Sequence, residues 1–110
     1  MRLTAEFRAK ALIRRVHDAG GSAAVLARGD AMGGGILVLA LDRGQNPMFW
    51  ERGLGPKGST QLIRTGPKDA DAIACEDYWR RRRRTDPDLW VIELDIASAE
   101  RFAAETIALD

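Results

Sequence analysis

The 110 residues predict a single three-layer α/β domain of the α+β kind, spanning 1–110. The expected sheet is mixed, mostly antiparallel and five-stranded, with helices on both faces, in the order α-β-β-β-β-α-β-α. Three observations carry this. Ile36 to Leu41 is an unbroken apolar run. A strand apolar on both sides is buried on both sides, so layers must cover the sheet above and below. Leu89 to Ile96 has period two: Trp90, Ile92, Leu94 and Ile96 share one face, and Leu89, Val91, Glu93 and Asp95 share the other, which turns acidic at its far end. Helical periodicity occupies the two ends and the stretch before Leu89.

Thr4 to Ala19 is the first helix. Thr4 is placed as its N-cap. Ala5, Ala9, Leu12, Ile13 and Val16 form one apolar stripe, and Arg8, Lys10, Arg14 and Arg15 lie elsewhere on the wheel. Leu3, Phe7 and Ala11 make a second patch, read as a fold-back of the first turn in preference to an oligomer contact. Gly20-Gly21 ends the helix. His17, the only histidine, reads as a solvated helix-end residue.

Ser22 to Arg28 is a strand of small residues, and Gly29-Asp30 is a turn. Gly33-Gly34-Gly35 reads as a hairpin turn. Phosphate loops run strand, glycines, helix, whereas here a strand follows. The same test discards Gly53-Leu54-Gly55-Pro56-Lys57-Gly58-Ser59-Thr60. Asp42 to Asn46 is a turn, Pro47 to Glu51 a short strand, and Gly53 to Gly58 a loop. Ser59 to Thr65 is a half-polar strand that suits an edge. These four strands are expected as an antiparallel meander. The last strand arrives by a helical crossover, which permits parallel pairing. Its place, at either edge or in the centre, stays open. A final helix runs from Ser98, its expected N-cap, to about Ala108.

Lys68 to Arg84 is the middle helix, with Asp69 and Asp71 in its first turn and arginines in its last, as the helix dipole favours. Glu76–Arg80 and Asp77–Arg81 are stabilising i,i+4 pairs. Pro87 stops the helix at or before Asp86. Arg80 to Arg84 are five arginines in a row. Such runs can bind phosphate, but successive helical residues stand about 100° apart, so five cannot form one flat face. Arg82 points to the side of Ala72, Ala74, Cys75, Tyr78 and Trp79. It is expected to lay its stem on the core edge and pair with a carboxylate. Arg80, Arg83 and Arg84 point away and are the binding candidates, with Arg14 and Arg15 of the first helix. Residues 1–84 carry 16 Lys+Arg against 9 Asp+Glu, and residues 85–110 carry 1 against 7. The run is followed at once by the acidic last third, and much of it is expected to be neutralised within the chain.

The net charge of +1 and the 45% hydrophobic, 30% charged composition imply an ordinary globular chain with no general pull to nucleic acid or membrane. One cysteine excludes an internal disulfide and suits a reducing compartment. The charged start MRLTAEFRAK lacks a leader's apolar core. The expected location is cytoplasmic. Trp50, Trp79 and Trp90 read as core, and Arg82 and Pro87 as structural. Cys75 reads as a small buried hydrophobe rather than a nucleophile. No catalytic residue, metal ligand or cofactor is implied.

Three functions compete. The first is a non-catalytic binding module, its partner a protein on the exposed arginines or a second copy. The second is nucleic-acid binding, for which the two basic helices must share a face. The third is a metal-dependent nuclease-like enzyme. Asp42 and Glu51 offer the carboxylates, but Arg52-Gly53 follows Glu51 where such a site needs a lysine.

Several landmarks together resemble a known family: Met1-Arg2-Leu3, the helix with Arg14-Arg15, the Arg28-Gly29-Asp30 turn, and Arg84-Thr85-Asp86-Pro87-Asp88-Leu89-Trp90-Val91-Ile92-Glu93. The family is the group of small alphaproteobacterial proteins classed as domain of unknown function 1491. The resemblance spans nearly the whole chain. It implies a compact three-layer fold and a bacterial cytosol. It implies no activity, because none is known for the family, and so no functional residue is carried over.

Overall fold

The structure, a computed structural model, describes residues 3–108. Met1-Arg2 of the family landmark lie outside the described residues. In chain order the elements are α1 (Ala5–Asp18), β1 (Ser22–Ala27), β2 (Ile36–Asp42), β3 (Gln45–Leu54), β4 (Thr60–Thr65), α2 (Ala72–Thr85), β5 (Trp90–Asp95) and α3 (Ala99–Ile107). The sequence order of helices and strands is the expected one.

The strand order in space is β1-β5-β2-β3-β4. β5 inserts between β1 and β2, antiparallel to the first and parallel to the second. The expected four-strand meander is thus corrected to three strands, β2-β3-β4. Gly33-Gly34-Gly35 is no hairpin turn. The loop between β1 and β2 instead clasps the start of β5. Asp30 N donates to Asp88 O at 3.0 Å, Trp90 N to Gly35 O at 2.9 Å, and Trp90 Nε1 to Asp30 O at 2.8 Å. Two glycines allow this approach: a Cβ at Gly29 or Gly34 would collide with the Asp88 carbonyl oxygen. The physical reason for the insertion is the composition of β5. Its first five residues are all buried or half-buried, and an apolar strand left on an edge would expose both its ladder and its side chains.

β2 and β5 are the shared floor of two cores. Ile36, Val38, Ala40, Trp90, Ile92 and Leu94 face α1 and α3. Leu37, Leu39, Leu89 and Val91 face α2, with Phe49, Cys75 and Trp79. β4 is an edge strand, as its half-polar pattern requires.

Local geometry revises several expectations. Thr4 Oγ1 accepts from Phe7 N at 3.1 Å, capping α1. α2 begins four residues later than its charge pattern suggests. Asp71 caps it by accepting from Ala74 N at 2.8 Å, and Asp69 precedes it with a positive φ of 53°. Ser98 also has a positive φ, 57°, and gives α3 no side-chain cap. β3 is ten residues long, because the β3–β4 ladder reaches Leu54↔Thr60. The Leu3–Phe7 patch is not folded away: Phe7 is 57% exposed. His17 is exposed yet engaged, its Nε2 accepting from Ala23 N at 3.3 Å. Asp95 accepts from Arg43 N at 2.7 Å and Gly44 N at 2.9 Å, so the end of β5 holds the β2–β3 turn.

Candidate functional site: a trough between α2 and β1

α2 must cross the sheet to connect β4 with β5, and this crossing gives it two flanks. One flank faces β3. There Arg82 makes a two-pronged contact with Glu51: Nη1 to Oε2 at 2.7 Å and Nη2 to Oε1 at 2.9 Å. Its Nη1 also donates to Tyr78 Oη at 2.8 Å. The Tyr78 ring meets Phe49 edge-on, centroids 4.7 Å apart. Burial pushes the Glu51 carboxyl up, but hydrogen bonds and charge from the Arg82 guanidinium outweigh it and hold the carboxyl below the usual glutamate value. The same hydrogen bonds hold Arg82 more firmly protonated. The partner of Arg82 is therefore a β3 residue, not one from the acidic last third.

The other flank faces β1. Arg80, Arg83 and Arg84 come together here, with Trp79, Leu26 and Ala27, around a concavity of about 500 Å³. Arg80 lies over the Trp79 ring at 4.7 Å and pairs with Glu76 at 3.1 Å. Arg83 donates to Leu89 O at 3.0 Å and to Pro87 O, tying the end of α2 to the start of β5. Arg84 is exposed. Part of the run is neutralised within the chain, and among the described residues the carboxylates that do it lie upstream of the run. Glu76 answers Arg80, Glu51 answers Arg82, and two backbone carbonyls answer Arg83.

A second concavity of about 520 Å³ shares Leu26 and Trp79 with the first and continues along α2 toward its N-terminus. Its floor is Leu26, Leu39 and Leu41, its helix wall includes Ile73 and the buried Cys75, and Asp71, Glu76 and Glu93 line it. The two form one trough with an apolar floor, an acidic end and a basic end. Each half falls within the size range of ordinary ligand clefts, roughly 300–1,000 Å³.

Arg14 and Arg15 do not join this site. α1 packs on the opposite face of the sheet. Arg15 Nη1 donates to Thr106 Oγ1 at 2.8 Å, and Arg14 stands 3.9 Å from Asp18. The two basic helices thus make no merged patch. The nuclease-like carboxylates are also apart. Asp42 pairs with Gln45 beside the β2–β3 turn, while Glu51 pairs with Leu37 five residues down β2, roughly 17 Å away at the strand rise. Among the described residues no three His, Cys, Asp or Glu side chains group as a metal cage. The Cys75 thiol is pushed up by burial and by the Asp71 carboxylate, the reverse of an activated nucleophile. Trp79 and Trp90 are buried and Trp50 is half-buried against the α1/α3 core.

Sequence reasoning found the basic end and missed the rest. Two signals were present: Ile73, an isoleucine 73% exposed on α2, and Glu93, where the α2-facing side of β5 changes from apolar to acidic. Neither has meaning until the crossing of α2 leaves the β1 side of the sheet open.

The family model described as "Protein of unknown function (DUF1491)" matches residues 3–104. The chain belongs to the DUF1491 family. Three solved structures share its fold. The crystal structure of a DUF1491 family protein from Caulobacter crescentus CB15 is 28% identical, with a TM-score of 0.80, covering 92% of this chain and 94% of that one. An NMR structure of a DUF1491 family protein from the same organism is 27% identical, TM-score 0.80, covering 100% and 99%. The solution structure of protein Atu0922 from A. tumefaciens is 29% identical, TM-score 0.70, covering 89% of each. No curated protein matches the chain. In this DUF1491 chain, no described helix is long and apolar enough to cross a membrane.

Proposed function

We propose that this DUF1491 protein is a non-catalytic binding module of the cytoplasm, and that it docks a polypeptide partner in the trough between α2 and β1. The observation that carries this is the convergence of Arg80, Arg83 and Arg84 beside an apolar floor formed by Leu26 and its neighbours. An apolar floor rimmed by a few oriented charges suits a side-chain-bearing ligand. A phosphate backbone gains nothing from the floor and is repelled by Asp71, Glu76 and Glu93. With α1 on the other face, nucleic acid would also have only one helix of arginines to grip.

Titration of the purified protein with a labelled acidic peptide, and separately with mixed-sequence DNA and RNA, tests this at low and moderate salt. Peptide binding that is lost in the Arg80→Ala/Arg84→Ala variant, which keeps Arg83 on the Pro87 and Leu89 carbonyls, supports the reading. Nucleic-acid binding that is lost in the same variant, with no peptide binding, replaces it with phosphate recognition.

A further inference from the structure

The two faces of the sheet are covered unequally. Five strands at a spacing of about 4.8 Å make a surface roughly 24 Å wide, and a helix covers about 10–12 Å of it. Two helices per face are needed. α1 and α3 supply two on one face. Among the described residues only α2 covers the other. The trough is the place where a second helix would lie. Its floor is leucine, and Ile73 stands at its rim.

Charge decides the direction of that helix. Arg80 and Glu76 pair with each other midway along the trough, which leaves it basic beside the C-terminal turns of α2, at Arg83 and Arg84, and acidic beside its N-terminus, at Asp71 and Glu93. Helices carry a positive N-terminus and a negative C-terminus, and favour acids in their first turn and bases in their last. Such a helix laid antiparallel to α2 puts its acidic first turn on the arginines and its basic last turn on the carboxylates. Laid parallel, it would oppose like charges at both ends. We infer that the trough receives an amphipathic helix of a partner protein, antiparallel to α2, with an acidic N-terminal turn, an apolar stripe and a basic C-terminal turn. This inference rests on the docking reading above.

The other occupants fit less well. A second copy could offer its own α2, which has the right charge polarity, but the apolar side of that helix, Cys75 and Trp79, is already buried under its own sheet. A strand added to β1 meets a guarded edge: the Ala23 N–H is taken by His17, and the ladder shifts register between Val25 and Ala27.

The test uses the full chain and three labelled probes. One is an amphipathic helical peptide of about the length of α2, with acids first and bases last. The second has the same composition with the charge order reversed. The third is an unstructured acidic peptide. Binding is read by anisotropy against wild type and the Arg80→Glu/Arg84→Glu variant. Arg83 is spared because it holds the Pro87 and Leu89 carbonyls. The expected result is at least about tenfold tighter binding of the first peptide than the second, a preference worth roughly 1.4 kcal/mol, lost in the variant. Equal affinity for the two helical peptides, or undiminished binding to the variant, overturns the inference. If the unstructured peptide alone binds through Arg80 and Arg84, the helix is wrong and the docking reading stands. If none of the three binds, both fall. Light scattering of the protein alone adds one outcome: a dimer dissociated by Leu26→Arg assigns the trough to a second copy and overturns the inference.

Discussion

The two faces of the sheet use the same two central strands and end differently. On the α1/α3 face fourteen described residues form one buried cluster, and two helices close it. On the α2 face seven do, and one helix closes only part of it. The well-closed face is held mainly by apolar contact, with Arg15 bonded to Thr106 at its edge. The other adds a polar clamp, Arg82 on Glu51, where α2 meets β3, and stays open where α2 meets β1. The open flank is therefore not a gap in the core. It is a surface that the clamp leaves available.

Core truncations give the largest effects and test the comparison directly. Leu94 and Leu37 are both fully buried, on the α1/α3 and α2 faces respectively. Leu94→Ala should cost about 4 kcal/mol and Leu37→Ala about 3 kcal/mol, because the smaller cluster on the α2 face collapses more easily around a deletion. Urea denaturation of both variants reads this; equal costs would mean the two faces are packed alike.

Next is the clamp. Arg82→Ala or Glu51→Ala should each cost about 2–3 kcal/mol, since each strands a partly buried charge. A double-mutant cycle should show the two to be strongly coupled, and additive costs would remove the clamp from the account. Its pH dependence has a definite sign. The folded Glu51 carboxyl is held below its ordinary value of 4.5, so its contribution is present above that pH and is lost as pH falls through the lower folded value. The stability gap between wild type and Glu51→Gln should therefore narrow on acidification. A gap that widens would contradict the assignment.

Asp95→Ala removes two hydrogen bonds to the β2–β3 turn and should cost about 1 kcal/mol. Thermal melts check it, and an unchanged midpoint would mean the turn holds itself. The smallest effect is predicted on the open flank. Arg80→Ala and Arg84→Ala should each change stability by less than about 0.5 kcal/mol, because the Glu76 pair is exposed. A cost of several times that would make these arginines structural and leave the basic end of the trough unexplained.

How much of this was legible varies by residue. The alternation of Trp90, Ile92 and Leu94 against Leu89 and Val91 placed both faces of β5 correctly, because side chains alternate along any strand whatever its neighbours. The apolar run in β2 demanded two covering layers for the same local reason. Helix ends read less well. Asp69 and Asp71 both suit a first turn, and only the backbone shows that Asp71 is the cap. Of the site, the i,i+3 and i,i+4 spacing of Arg80, Arg83 and Arg84 put them on one side of α2, and Arg82 on another. The sequence has no way to show that Leu26, Leu39 and Glu93 lie beside those arginines, since they come from three strands.

The sequence by itself determined the kinds and order of the elements, the buried faces of β2 and β5, and the separation of Arg82 from its neighbours. These follow from periodicity, which is a property of each segment alone. Packing of the whole chain places β5 between β1 and β2, sets Glu51 against Arg82, puts α1 and α2 on opposite faces, and leaves a trough beside α2. Each of these depends on pairings between residues distant in the chain. Many such pairings satisfy the same local patterns, and the packing of the whole molecule selects one.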